Sequence, residues 1–225
     1  MFWQEDKDEN APYQVPDDMV DLSFKLQGRS LPLDHAHALS AALLAALPWL
    51  EEEADAGIHL IHVAESGNGW FRPEDVEHEL LQLSRRTRMS LRLPKHRIED
   101  AHVLLEKGIS VQGHGLSFSD PKVKLFSPVS TQFSRYVITD PEQPEADFLQ
   151  SVAGQIRALG IPVKKLMAGK SHVFQTPDGK LPTRSVMIAD LEPEQAVLLQ
   201  QKGVGEGRKM GCGLFIPHKG IKSVG

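Results

Sequence analysis

Residues 203–217 read GVGEGRKMGCGLFIP, with five glycines in eleven positions, Arg208 and Lys209 between them, and an apolar LFIP at the end. The flanks decide what such a stretch means. Residues 192–203, EPEQAVLLQQKG, have helical spacing and an acidic first turn, and the apolar end reads as a strand. A dinucleotide fingerprint runs the other way, from strand through G-x-G-x-x-G into a helix. Here the spacing from Gly205 is G-x-G-x-x-x-G, and no window supplies the G-x-x-x-x-G-K-[ST] of a P-loop. Glycine permits positive φ and close approach of another backbone, and successive N–H groups can form an anion nest. Two readings follow. Gly203, Gly205, Gly207, Gly211 and Gly213, with Arg208 and Lys209, form a phosphate-holding loop; or they form a flexible connection.

Working outward, residues 122–225 give strand, helix, strand, strand, helix, strand. VKLFSPVSTQFSRYVIT is a strand broken near Pro128, EADFLQSVAGQIRALG is a helix stopped by Gly160, and IPVKKLMAG and TRSVMIADL are strands. Residues 19–121 give the same order. MVDLSFKLQG alternates as a half-buried strand does, and a helix runs from about Asp34, its N-cap, to Leu47. IHLIHV is a strand, residues 80–93 are strand-rich, RIEDAHVLLEKG is a helix ending at Gly108, and ISVQGHGLSFSD is a strand or a pair with a glycine turn. Two βαββαβ units predict an α+β, tandem ferredoxin-like architecture. Residues 1–18 form an acidic extension outside both domains.

The chain has 225 residues and a formal charge of −5. Residues 1–18 alone carry one Lys and six acids; the remainder is balanced, with 24 basic and 24 acidic residues. Within it, residues 84–97, SRRTRMSLRLPKHR, hold six Arg or Lys and no acid. Such clustering fits either a nucleic-acid footprint or a solvated face. Arg86, Arg88 and Arg92 would share one face of a continuous strand, with Arg85 on the other; the alternative is pairing with acids such as Glu51–Glu53. Lys164, Lys165 and Lys170 are further cations in the second unit. A single cysteine, Cys212, excludes a disulfide framework and a thiolate metal cluster. No run is long and apolar enough to span a bilayer, and no signal-peptide core is present, so a cytoplasmic protein is expected.

The order LPLDHAHAL, LSRRTRMSLRLP and finally GVGEGRKMGCGLFIPHK resembles the CRISPR-associated repeat-processing endoribonucleases, Cas family six of the RAMP superfamily, and within it a myxobacterial-type class 1 subtype. The likeness spans about residues 20–224. Its specific element is G-x-G-x-G-R-x-x-G-x-G between a last helix and a last strand. The resemblance implies two ferredoxin-like folds and binding of the hairpin repeat of precursor CRISPR RNA. It implies cleavage without metal or other cofactor, by attack of a 2′-OH that leaves a 2′,3′-cyclic phosphate and a 5′-OH. It also implies retention of the product within a class 1 complex of Cas subunits.

That chemistry needs a base for the hydroxyl proton and an acid for the leaving oxygen. Histidine suits both near neutral pH. His35 and His37 stand at the start of the first helix, where the resemblance places the family's catalytic residue; His35 fits the motif position better. A helix N-terminus disfavours the imidazolium. Two residues apart on a helix, the rings point about 200° apart. His59 and His62 face opposite sides of the expected strand, and His114 and His218 read as surface residues. No zinc-type spacing occurs, so no metal is expected.

A non-catalytic crRNA-binding RAMP subunit would share everything except a need for the His35/His37 pair. A two-histidine cyclic phosphoesterase needs two H-x-[ST] motifs, and none of the ten histidines begins one. A small-molecule-binding regulator leaves Arg208 and Lys209 unexplained.

Overall fold

The computed structural model describes residues 13–62 and 79–218. In chain order the elements are β1 (Met19–Gln27), β2 (Ser30–Pro32), α1 (Ala36–Ala46), β3 (Gly57–Ile58), β4 (Leu80–Gln82), β5 (Arg88–Pro94), α2 (Ile98–Ala101), α3 (Val103–Lys107), β6 (Ile109–Val111) and β7 (His114–Lys124). Then come β8 (Gln132–Ile138), α4 (Glu145–Ala158), β9 (Lys165–Thr176), β10 (Gly179–Ala189), α5 (Pro193–Lys202) and β11 (Ile216–Pro217). The first sheet runs β3-β5-β1-β7-β6 and the second β11-β8-β10-β9. With each unit's strands numbered one to four, both sheets have the order four-one-three-two, all pairs antiparallel. This is the tandem ferredoxin-like fold expected from the element order.

β1 departs from the expected half-buried strand, because both its faces are covered. Val20, Leu22, Phe24 and Leu26 enter a core with Leu39 and Leu43 of α1 and with Met89, Leu91 and Leu93 of β5. On the other face Asp21 meets the Arg92 guanidinium, Nε to Oδ1 at 2.9 Å and Nη2 to Oδ2 at 3.0 Å. Arg92 also donates to the Gln200 carbonyl of α5 at 2.6 Å and lies 4.7 Å from the centre of the Phe126 ring. The second core packs α4 and α5 on β8–β10 through Phe148, Val152, Ile156, Val186, Ile188 and Leu199.

Several local expectations shift. The expected strand at 58–63 ends at Ile58; His59 to His62 run on outside the ladder, and residue 63 lies outside the described residues. Arg86 sits in the turn before β5, so only Arg88 and Arg92 share a strand. β7 pairs with β1 as far as Lys124, so the first unit extends past the expected boundary at 121. β6 and β7 form a hairpin whose two turn residues, Gln112 and Gly113, have φ of 48° and 82°, the twist that suits a two-residue hairpin turn. Of the extension, residues 1–12 lie outside the described residues. Tyr13 and Val15 pack against Met19, Phe126 and Val197. Among the described residues, no helix is long and apolar enough to cross a membrane.

Candidate active site

The start of α1 lies where the two units meet, and His35 holds it there. The residue is 4 % exposed. Its Nδ1–H donates to the Pro32 and Leu33 carbonyls at 3.0 and 3.1 Å, and its Nε2 accepts the Ile61 N–H at 3.1 Å. Those three bonds fix the neutral tautomer and use both ring nitrogens. Burial also presses the ring's pKa below the ordinary histidine range, although the two carbonyls work the other way. His35 therefore orients α1 and the 59–62 segment and keeps no nitrogen for a substrate, contrary to its expected catalytic role. Asp34 is not a cap either; its carboxylate accepts the Gln175 N–H of β9 at 2.6 Å and so links α1 to the second unit.

His37 lies one half-turn on. It is half-buried, in the first turn of α1, and no side-chain hydrogen bond to it is made among the described residues. Across the seam stands a group of rings. Tyr136 of β8 is stacked with His62 at 6.2 Å and 25°, and its ring lies 5.3 Å from His172 and 4.8 Å from Phe174 of β9. Burial raises the Tyr136 pKa, so the phenol keeps its proton throughout the neutral range. Packing, then Arg135 and the neighbouring imidazoles, hold His62 well below the ordinary value and therefore uncharged. The second unit's side of the site, Tyr136 and His172, has no sequence motif; it becomes visible only when the two sheets are placed together. Other described histidines lie elsewhere, among them His59 on Asp21 at 3.3 Å, His114 on Ser30 at 3.2 Å, and His218 against Phe133.

In the glycine loop the tightest glycine and both cations contact the protein itself. All five glycines have positive φ. A Cβ on Gly213 would lie 2.0 Å from the Val204 carbonyl oxygen, so the chain there closes on itself, not around a ligand. The Val204 N–H donates to Gly213 O at 3.1 Å, and the Gly213 N–H donates to Tyr136 O at 2.7 Å, which ties the loop to the ring group. Arg208 is buried and donates to the carbonyls of Gln201, Lys202 and Asp55; Lys209 donates to those of Glu53 and Ala56. Both cations were expected on RNA; instead Arg208 satisfies the end of α5, and the two together clamp the loop onto residues 53–56. Arg92 is likewise internal. Arg88 bonds Ser23 and Asp120. Of the expected basic surface, Arg85 and Arg86 are exposed. Arg97 pairs with Glu53 and Asp100, as the ion-pair alternative required. Cys212 is buried and its thiol is pushed up to about 12, so it is no nucleophile. Among the described residues, no group of three His, Cys, Asp or Glu is placed to hold a metal ion.

The Cas6 Crispr family model matches residues 20–220. The chain belongs to the Cas6 family. It is 32% identical over 198 residues to a CRISPR-associated endonuclease Cas6 of Myxococcus xanthus, covering 88% of this chain and 81% of that one. Among solved structures it resembles a CRISPR associated protein Cas6 with a TM-score of 0.62 and 12% identity, over 89% of this chain and all of that one. It also resembles Thermus thermophilus Cse3 bound to an RNA representing a pre-cleavage complex, with a TM-score of 0.52 and 15% identity, over 88% and 98%. Within the Cas6 fold as seen here, the start of α1 and the glycine loop converge on one seam between the two sheets.

The state of His35 has a consequence for stability. Unfolded, its ring has the ordinary value near 6.5; folded, it refuses the proton. Below that pH the unfolded chain therefore binds more protons than the native one, and stability falls as pH falls. One such group contributes a slope of at most about 1.4 kcal/mol per pH unit. The melting temperature is expected to drop between pH 7.5 and 5.5. His35→Asn should lower it at both values while flattening the difference. Equal pH slopes for the two proteins would show that His35 is not held neutral.

Proposed function

We propose that this Cas6-family chain is the endoribonuclease that matures precursor CRISPR RNA. It binds the repeat hairpin in the cytoplasm and cuts it by internal transfer. His37, the half-buried histidine at the seam with no hydrogen-bonding partner among the described residues, is the observation that carries this reading. In its neutral form it takes the proton of a repeat 2′-OH as the O2′–P bond forms. The P–O5′ bond breaks, and the 5′ oxygen needs a proton in return. Tyr136, across the seam, retains one. The products are a 2′,3′-cyclic phosphate and a 5′-OH. His35 acts as a positioning residue, fixing the angle of α1, and the cleaved RNA stays bound as the chain's contribution to a class 1 interference complex with other Cas subunits.

Incubating the protein with its locus's repeat RNA in excess EDTA tests the reaction class. Cleavage should proceed undiminished and yield a 3′ end resistant to polyadenylation until the cyclic phosphate is opened. Activity lost in EDTA and restored by Mg²⁺ would overturn the mechanism. Binding without cleavage under all conditions would favour the crRNA-binding subunit.

A further inference from the structure

The second sheet has one face under α4 and α5 and another that is open at one end. Leu166, Ala168, Val186 and Ile188 belong to the helix-covered core. Their neighbours on the strands point the other way. Register aligns four of these across the sheet: Ile216 opposite Phe133, Phe133 opposite Met187, and Met187 opposite Met167. Met167 is 56 % exposed. The His218 ring lies 5.6 Å from Phe133, and the Arg135 guanidinium is 5.9 Å from the same ring. Tyr136 follows Arg135 where the register of β8 with β10 shifts, between Ser134 and Val137, so the alternation breaks there and this row leads toward the ring group of the candidate active site.

Charge is as one-sided as the rings. Strands β8, β9 and β10 contain no Asp or Glu and five Lys or Arg, in a chain with 30 acidic residues. Lys165 pairs with Asp190, and Arg184 lies over Phe148 on the helix side. Arg135 is exposed beside the row, and Lys170 is exposed at the β9 bulge where the register with β10 shifts. Open sheet faces that combine flat or polarizable side chains with cations suit unpaired nucleotides, whose bases stack while the backbone meets the charge. A second copy of this chain would also be drawn to Met167 and Phe133, but it would not account for three strands without an acid.

We propose that this open face, from Phe133 and Met167 to Arg135, binds an unpaired stretch of RNA adjoining the repeat hairpin and leads it into the seam. The proposal rests on the repeat-RNA reading above. It is tested by binding of the full chain to the repeat hairpin with its natural single-stranded flanks and to the same hairpin trimmed flush. The wild-type protein should prefer the flanked RNA. Phe133→Ala should shrink that preference by about 5- to 100-fold, the loss of one base–aromatic stack. Met167→Glu, on an exposed side chain that does not endanger the fold, should shrink it too. Arg135→Ala should lower the salt slope for the flanked RNA by about one unit. Equal wild-type affinity for both RNAs, or variants that keep the full preference, would overturn the face while leaving the hairpin reading intact. No binding to either RNA would remove both. A wild-type dimer that Met167→Glu turns into a monomer would identify the face as a contact between copies and refute the RNA assignment.

Discussion

His37→Ala is expected to cut repeat RNA about 10²- to 10⁴-fold more slowly, the range a positioned acid–base group supplies, while holding the hairpin nearly as tightly as the wild type. One neutral imidazole adds little to phosphate affinity, whereas it decides the fate of the 2′-OH proton. His35→Ala is expected to behave differently. It strands the Ile61 N–H and the Pro32 and Leu33 carbonyls in a buried corner, at a cost of about 1–3 kcal/mol for each group left unpaired. Its cleavage defect should therefore appear with a lowered melting temperature and diminish on cooling. Single-turnover cleavage, thermal melts and hairpin affinity on both variants separate the two roles. If His37→Ala cuts at the wild-type rate while a folded His35→Ala does not, the assignment reverses. If both cut normally, proton transfer lies in the Tyr136 and His172 group.

The pattern that distinguishes the two histidines was present in the sequence. Leu39 and Leu43 follow His35 at intervals of four, and both are buried. Ala41 and Ala45 follow His37 at the same interval, and both are exposed. Residues four apart share a helix face, so His35 belongs to the apolar row and His37 to the open one. The motif position favours His35, whereas the helix face favours His37 for the role proposed above. Most of the element order was legible, because helical spacing, glycine stops and strand alternation are local signals, but the short β2 and the division into α2 and α3 were not. The direction of the loop cations was not. Arg208 and Lys209 turn inward because carbonyls at Glu53, Asp55 and Ala56, about 150 positions earlier, lie against the loop in the folded chain. No spacing within GVGEGRKMGCG encodes that. The five glycines indicated positive φ correctly, yet positive φ serves a tight self-closing turn as well as an anion nest. The site's second half escaped for a related reason, since Tyr136, His62 and His172 come from three separate segments.

Asp21 and Arg92 bear the second large effect, and it concerns stability, not RNA. Arg92 was expected on the nucleic-acid face, but its side chain is wholly enclosed between Asp21, the Gln200 carbonyl and the Phe126 ring. Burial alone would raise the Asp21 pKa; the charge of Arg92 and the bond to His59 overcome it and hold the carboxylate far below its usual range. The pair is therefore ionised at every working pH, and its contribution is lost only as strong acid protonates Asp21. Removing one member leaves the other charge buried without a partner, which typically costs 3–5 kcal/mol. Asp21→Ala is thus expected to lower the melting temperature by roughly 6–20 °C, at about 2–4 °C per kcal/mol for a chain of this size. Replacing both residues together, Asp21→Leu with Arg92→Met, removes the unpaired charge and should recover much of that loss, since apolar replacements of buried pairs are often neutral or better. The RNA reading of Arg92 makes the opposite demand. A phosphate contact would lower the salt slope by nearly one unit when lost. Arg92→Ala, measured where it is still folded, should keep the wild-type slope, whereas Arg85→Ala and Arg86→Ala in the exposed turn should each reduce it. A reduced slope in Arg92→Ala alone, with its melting temperature unchanged, would return Arg92 to the RNA surface.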